Sequence, residues 1–162
     1  MTLIVRPAQP DEVPLCADIL QATARQLQER GAALWPPQPL SAEALLRQYP
    51  PDSFRLGWLG GQTVATLTLL DTDPAFWPED GPGEALYLHK LGVLPQFQGQ
   101  KVSTVMLEAA VREARERGCL FLRLDTVWER PRLRAIYERF GFKLVGRKTV
   151  HGYVVALYEL RV

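Results

Sequence analysis

The chain has few of the residues that build disulfide-bonded folds or metal centres. Its 162 residues include two cysteines, Cys16 and Cys119, and two histidines. Cysteines at this separation match no common zinc-ligand spacing and form no disulfide framework, so we expect two partly buried thiols and no metal site. The chain also lacks an apolar run of ~20 residues, the length of a membrane-spanning helix, and it lacks a signal peptide. These absences predict a soluble cytoplasmic protein with no membrane partner.

The composition is that of an ordinary globular domain. Hydrophobic residues make up 47% of the chain and charged residues 23%, a balance that excludes an intrinsically disordered protein. The length is enough to bury a core without disulfides or metals. Because the chain shows no internal repeat, low-complexity segment or linker, we predict one domain over residues 1–162. Both a monomer and a homodimer are compatible with this composition.

The net charge is only +1, but the two halves of the chain differ in sign. Residues 1–81 hold 5 of the 19 lysines and arginines and 10 of the 18 acidic residues. The basic second half suits a ligand with several phosphate charges, and the acidic first half suits a cationic amine. The alternative is that some of these basic residues form a solvated helix face. Basic residues interleaved with aromatic ones would indicate nucleic-acid binding; that pattern is missing, so we expect no nucleic-acid partner.

Hydrophobic periodicity and turn residues predict alternating strands and helices. The predicted strands cover residues 3–5, 54–59, 63–70, 85–93, 120–124, 142–146 and 153–160. The predicted helices cover residues 10–30, 41–48, 100–117 and 131–140. Segments 32–40 and 71–83 are rich in turn residues and are predicted loops. Gly60 and Gly61 fit a tight hairpin turn, and His151 falls in a predicted exposed turn.

The segment between residues 86 and 125 carries the most information. An apolar strand runs into a short loop, the loop opens an amphipathic helix, and a second apolar strand follows. The N–H groups and the partial positive charge at the start of such a helix form a natural phosphate site. We therefore predict a phosphate-bearing, nucleotide-like cofactor at residues 98–103. The loop is not a P-loop, because Gln100 stands before Lys101 where that motif needs glycine, and the chain has no G-x-G-x-x-G motif.

Two separated segments carry a more specific pattern. Residues 93–107 read V-x-P-x-x-Q-G-x-x-V-x-T-x-x-L, and residues 136–142 read I-Y-E-x-x-G-F. The first resembles the acetyl-CoA pyrophosphate loop of the GNAT (Gcn5-related) N-acetyltransferases, and the second resembles the helix that carries their proton-donating tyrosine. The resemblance implies an α/β (α+β) protein with the GNAT acyl-CoA N-acyltransferase fold, a mixed twisted sheet flanked by helices. It also implies acetyl-CoA as the cosubstrate.

The resemblance places the cosubstrate at the loop and at the strand before it. The residues it implies as cofactor-binding are Leu91, Gly92, Val93, Gln98, Gly99, Gln100, Lys101, Val102, Ser103, Thr104 and Arg130. The family usually has small residues where this chain has Lys101 and Ser103, which offer a cation and a hydroxyl in place of room for the pyrophosphate. Arg130 stands where many relatives carry an asparagine that contacts CoA.

Tyr137 is the residue that the resemblance implies as the proton donor to the departing CoA thiolate. A phenol with a pKa near ~10 is a reasonable acid for that step. The alternative is a helix-facing aromatic side chain that packs on Val102 or Leu124.

His89 is the candidate general base. It shares one face of its strand with Tyr87, because side chains two residues apart point the same way. The resemblance puts His89 where the arylalkylamine N-acetyltransferases carry a catalytic histidine, and an imidazole can take a proton from the acceptor ammonium. The alternative is a structural histidine bonded to the neighbouring strand, for instance to Asp125. Asp125 itself could orient His89, hold a substrate cation or cap a turn.

Tyr87, Asp125 and Trp35 are the candidate substrate-binding residues, and Trp35 and Trp77 either line the acceptor pocket or pack under the loops. The resemblance implies an acyltransferase that moves the acetyl group from acetyl-CoA directly to a primary amine of a small molecule or peptide, without an acyl-enzyme. The alternative is a non-catalytic acyl-CoA-binding or regulatory domain on the same fold, which the residues Lys101 and Arg130 suggest.

Overall fold

The computed structural model describes residues 2–31 and 39–162. The strands are β1 (Leu3–Pro7), β2 (Phe54–Leu59), β3 (Gln62–Leu70), β4 (Ala85–Val93), β5 (Phe121–Val127), β6 (Lys143–Val150) and β7 (Tyr153–Arg161). The α-helices are α1 (Val13–Glu29), α2 (Ala42–Gln48), α3 (Val102–Glu116) and α4 (Pro131–Phe140).

The strands form one sheet in the order β1-β2-β3-β4-β5-β7-β6. Strands β4 and β5 pair in parallel, whereas β2 pairs with β1 and β3, and β7 with β5 and β6, in antiparallel fashion. A mixed sheet with helices is the predicted fold class, which is confirmed. In the described part of the chain no helix is both long and apolar enough to cross a membrane.

The chain divides into two compact units. The first unit consists of Met1–Leu69 with Lys90–Ala109, and the second of Leu70–His89 with Ala110–Val162. That the whole chain acts as one domain stays a prediction.

The first unit is built on α1, α2 and the hairpin of β2 and β3. Its core cluster includes Leu20 and Leu45 from the helices and Phe54 and Leu56 from β2. The hairpin turns at Gly60 and Gly61, whose φ angles are 58° and 83°, which is the two-residue turn that the sequence predicts. The predicted helix at residues 10–30 is divided, because Pro10–Glu12 forms a 3-10 turn before α1 begins at Val13.

The second unit is built on β5, β6 and β7. Leu122, Leu124 and Tyr158 are buried between its elements. Strand β5 is longer than predicted, so Asp125 lies inside it, paired with Leu157 of β7; the role of its side chain stays a prediction. The turn between β6 and β7 contains His151, which is exposed as predicted.

Helix α3 begins later than the sequence suggests. The predicted start at residue 100 is wrong, because Gln100 and Lys101 belong to a turn and α3 begins at Val102. Lys101 has φ of 62°, which lies in the left-handed region and outside a right-handed helix. Both cysteines are free and buried, and burial raises the pKa of each thiol.

Candidate active site

The loop before α3 has the geometry of an anion site within the first unit. Residues 98–101 are exposed, and Gly99 and Lys101 both adopt positive φ, 80° and 62°. The carbonyl of Lys101 accepts the N–H of Val105 at 3.2 Å, which starts the α3 ladder. The N–H groups of the first helical turn have no acceptor within a helix by construction. The loop therefore delivers backbone donors and the ammonium of Lys101 to one exposed helix end.

Gly99 and Lys101, the two residues of this loop in the left-handed region, differ in the conformational free energy that this backbone angle costs. A Cβ added to Gly99 would meet nothing within 4 Å, so glycine serves the backbone angle there and leaves room above the loop. Lys101 adopts the same region with a side chain, which costs ~1–2 kcal/mol. The sequence departs from the family pattern at the position where the backbone favours glycine.

Gln98 joins the loop to the end of β4 and to α1. Its Nε2 donates to the carbonyl of Val93 at 3.1 Å and to Oε1 of Gln26 at 2.8 Å. Thr23 of α1 donates to the same Val93 carbonyl at 3.3 Å. The Thr23 hydroxyl has one proton and lies closer to the carbonyl of Ile19, at 2.9 Å, so its contact with Val93 is the weaker branch of a forked bond. Gln98 and Thr23 thus fix the strand end from which the loop departs.

Gly92 and Lys90 shape the same end of β4. A Cβ on Gly92 would approach Leu20 at 3.1 Å and Thr23 at 3.3 Å, so glycine allows α1 to pack closely on the strand. Lys90 has φ of 53° in the middle of the strand. A non-glycine residue at positive φ inside a strand re-aims the backbone that follows, a device found beside binding sites.

Tyr137 lies buried on α4 in the second unit. Its ring packs edge-on against Phe142 at a centroid distance of 5.8 Å and against Tyr158 at 6.3 Å. Burial, and then the negative charge of Asp125, raise the pKa of the Tyr137 phenol above its usual range. The direction of this shift favours the protonated phenol. Phe142 and Tyr158 are aromatic neighbours of Tyr137, and its packing on Val102 or Leu124 stays a prediction.

His89 follows the last paired residue of the parallel ladder, which joins Ala85–Leu88 to Phe121–Leu124. Its Nε2 lies 2.8 Å from Oδ2 of Asp73, and the two side chains are 16% and 8% exposed. The ring of Phe76 lies 6.3 Å from the imidazole. The structure shows a hydrogen bond from His89 to Asp73, a residue of the loop before β4, and the contact between His89 and Asp125 stays a prediction.

Asp125 is the neighbour that His89 and Tyr137 have in common. Ligand atoms of Asp73, His89 and Asp125 all lie within 4.8 Å of one another, and the charge of Asp125 acts on Tyr137. Two carboxylates and one imidazole at this separation could also hold a divalent cation. The absence of a metal therefore remains a prediction.

Comparison with known proteins decides the family. The model of the acetyltransferase (GNAT) family matches residues 18–142. The chain belongs to the GNAT family. An uncharacterized N-acetyltransferase of Bacillus subtilis, YesJ, is 34% identical over 79 residues, which make up 46% of this chain and 41% of that protein. The chain thus matches about two-fifths of the length of this curated relative.

Two crystal structures share the fold of this GNAT chain. A GNAT-family acetyltransferase from Listeria monocytogenes superposes with a TM-score of 0.76 at 24% identity, covering 99% of this chain and 95% of that one. The protein yncA from Salmonella typhimurium, determined with its cofactor acetyl-CoA, superposes with a TM-score of 0.72 at 16% identity, covering 99% and 94%. At such identities the likeness establishes the fold.

Tyr87 belongs to a buried ionic cluster in this GNAT chain. Its hydroxyl donates to Asp80, and Asp80 also accepts a bond from Arg123 at 2.8 Å. Arg123 pairs in addition with Glu159 at 2.6 Å and lies 5.2 Å from the ring of Trp77. Burial, and then Asp80, raise the pKa of the Tyr87 phenol above its usual range. Trp77 therefore packs in this cluster, and its two predicted roles both stay predictions.

The remaining predicted site residues are spread over the fold. Arg130 is the residue before α4, half-buried, with its carbonyl accepting the N–H of Arg134 at 3.0 Å. Trp35 lies outside the described residues. Sequence reasoning missed Asp73 and Thr23. It also missed Arg123, whose charge inside an apolar strand was a visible signal of a buried ion pair.

Proposed function

We propose that this GNAT-family protein transfers the acetyl group of acetyl-CoA to the primary amine of a small molecule or peptide. The observation that carries the proposal is the exposed turn of Gly99 and Lys101 at the start of α3, inside the segment that matches the family model. That turn offers backbone donors and one cation to a phosphorylated ligand. The acetyl-CoA complex of yncA, a protein with the same fold, supports the same cosubstrate.

Cosubstrate binding is assigned to the loop and to the end of β4. We infer that N–H groups of Val102, Ser103 and Thr104 donate to the pyrophosphate, with Lys101 neutralising charge. The main role of Gln98 is to hold the loop in place by its hydrogen bond to the Val93 carbonyl, and contact with the ligand is secondary. Leu91 and the N–H of Val93 remain the candidates for the pantetheine arm and for the oxyanion that forms at the thioester carbon. Gln100 and Arg130 are assigned to the outer phosphates.

The chemistry follows from the second unit. The acceptor arrives as an ammonium and must lose one proton before it can attack, and His89 takes that proton. The amine nitrogen then bonds to the thioester carbon, the nitrogen of this tetrahedral intermediate loses its second proton to solvent, and the carbon–sulfur bond breaks. Tyr137 protonates the departing thiolate and regains a proton from solvent. The products are an amide and CoA, and no residue of the protein is acetylated.

The pH behaviour expected of Tyr137 changes with its burial. A phenol at its ordinary pKa near ~10 would give an alkaline limb to the rate profile. Because burial raises the pKa of Tyr137, that limb moves beyond the range in which enzymes are assayed. We therefore expect that ionisation of Tyr137 does not lower the rate as the pH approaches ~10.

Two measurements test the proposal. Calorimetry with acetyl-CoA tests binding, and release of the CoA thiol in the presence of a panel of primary amines tests turnover. Transfer to an amine, with amide detected by mass spectrometry and a no-amine control, is the expected result. Binding of acetyl-CoA without release of the CoA thiol would favour the non-catalytic acyl-CoA-binding domain. If acetyl-CoA does not bind, both the enzyme and the binding domain are excluded. A cytoplasmic location remains an expectation beside this proposal.

A further inference from the structure

Asp73 is buried in a segment where its neighbours are exposed. Of residues 71–75, Asp73 alone is buried, and its side chain is 8% exposed. Its carbonyl accepts the N–H groups of Phe76 at 3.2 Å and Trp77 at 2.7 Å, so a local turn fixes the backbone that carries it. Burying a carboxylate costs free energy unless a strong partner meets it. The partner is the imidazole of His89, 2.8 Å away.

We propose that Asp73 is the positioning residue for His89 and holds the imidazole in the tautomer in which Nε2 carries the proton. The inference rests on the proposed function, in which His89 is the base. When Nε2–H donates to a carboxylate, the lone pair of the neutral ring lies on Nδ1. Nδ1 is then the atom that takes the proton from the acceptor ammonium, and the negative charge of Asp73 stabilises the imidazolium that results.

The other groups around the imidazole are consistent with this role. Asp125 of β5 brings a second carboxylate within 4.8 Å, and the Phe76 ring lies beside the imidazole. Asp73 and His89 thus form a pair in which the loop residue acts through the strand residue.

The first test needs no substitution. The chain contains two histidines, so a long-range proton–nitrogen spectrum of the imidazoles shows two ring systems, with exposed His151 as the internal reference. The spectrum is recorded after dialysis against a chelator, at an alkaline pH where imidazoles are neutral, and His89→Gln assigns the resonances. We expect His89 to carry its proton on Nε2. A proton on Nδ1 overturns the proposal, whatever the enzymatic activity.

The second test uses kinetics and a matched control. Asp73→Asn should lower kcat/KM on a primary amine by at least roughly 10-fold, a part of the 10²–10⁴-fold that a positioned base supplies, with acetyl-CoA affinity unchanged. Asp71→Asn is the control, because Asp71 lies two residues away, is 80% exposed and pairs with Arg117 at 2.8 Å. It should leave kcat/KM unchanged.

The double variant separates this inference from the proposed function. If Asp73 acts through the imidazole, Asp73→Asn combined with His89→Gln should be no slower than His89→Gln alone. A slow His89→Gln beside a fully active Asp73→Asn contradicts the positioning role and leaves the base in place. If His89→Gln is fully active, His89 is not the general base of the proposed function. The tautomer of His89 in the spectrum then decides whether Asp73 and His89 form the proposed pair.

Discussion

Replacement of Lys101 by glycine should raise the stability of the folded protein and weaken its binding of acetyl-CoA. Lys101 adopts φ of 62°, and a residue with a side chain in the left-handed region costs ~1–2 kcal/mol. Glycine removes that cost but gives the unfolded chain more freedom, which takes back roughly 0.5–1 kcal/mol. The net gain therefore lies between zero and roughly 1.5 kcal/mol, with a central value of about 0.75 kcal/mol. For a chain of this size that corresponds to a rise in melting temperature of about 1–4 °C.

The effect on acetyl-CoA comes from the lost ammonium. An exposed cation near a phosphate contributes about 1 kcal/mol at low salt, or roughly a 5-fold change in the dissociation constant, and less at high salt. Calorimetry should therefore show weaker binding in Lys101→Gly and a smaller dependence on ionic strength. Stability and affinity move in opposite directions because one follows the backbone angle and the other follows the charge.

Two further variants separate the backbone from the charge. Lys101→Ala removes the ammonium and keeps a side chain at positive φ, so it should weaken binding without raising the melting temperature. His151→Gly relieves a similar angle, φ of 50°, in the exposed turn between β6 and β7, so it should raise stability without changing affinity. The reasoning fails if Lys101→Gly melts no higher than the parent while His151→Gly does. If neither Lys101 variant changes the affinity for acetyl-CoA at low salt, Lys101 is not part of the binding site.

Three other outcomes follow from the buried side chains. Tyr137→Phe should lower turnover by roughly 10²-fold with little change in melting temperature. Tyr158→Phe loses the bond to Glu138, so it should lower stability by about 1 kcal/mol and leave turnover unchanged. The reverse pattern would make Tyr137 a packing residue. Urea unfolding should show that the free energy of unfolding falls as the pH rises above ~10. Burial raises the pKa of Tyr137 in the folded protein, so the unfolded chain releases that proton at a lower pH. If the fall of stability with pH is equally steep in Tyr137→Phe, this explanation is wrong. Arg123→Met should cost roughly 1.5–3 kcal/mol, because it removes the charged hydrogen bonds to the partly buried Asp80 and Glu159. Arg112→Met, at an exposed position, should cost almost nothing. Equal melting temperatures would show that the ion cluster carries no stability.

The sequence predicts helix α4 well because its pattern is local. The spacing of Gln98 and Gly99 before an amphipathic helix, and of Tyr137 before Gly141, is set by neighbours along the chain. The same holds for the Gly60 hairpin turn. Local chemistry was not enough at Lys101, because side-chain type alone does not reveal a left-handed backbone, and the predicted start of α3 was wrong for that reason.

The partners of the site residues could not be read from local patterns. Asp73 lies in a polar loop, and its inward direction depends on the turn at Phe76 and Trp77 and on where β4 presents His89. The Val93 carbonyl lies within hydrogen-bonding distance of Thr23 of α1, which is 70 residues away in sequence. Arg123 pairs with Glu159 only because β5 and β7 are neighbours in the sheet. Each of these contacts depends on tertiary packing.

The proposed transfer of an acetyl group to an amine is tested most directly by its two products, measured together. The purified protein is mixed with saturating acetyl-CoA and a panel of primary amines, and CoA thiol and N-acetylated amine are both quantified against a no-amine control. We predict equal amounts of the two products for at least one amine, and no acetylated protein in acetyl-CoA alone. Acetyl-CoA binding with no thiol released over the whole panel, or a stable acetyl group on the protein, would contradict direct transfer.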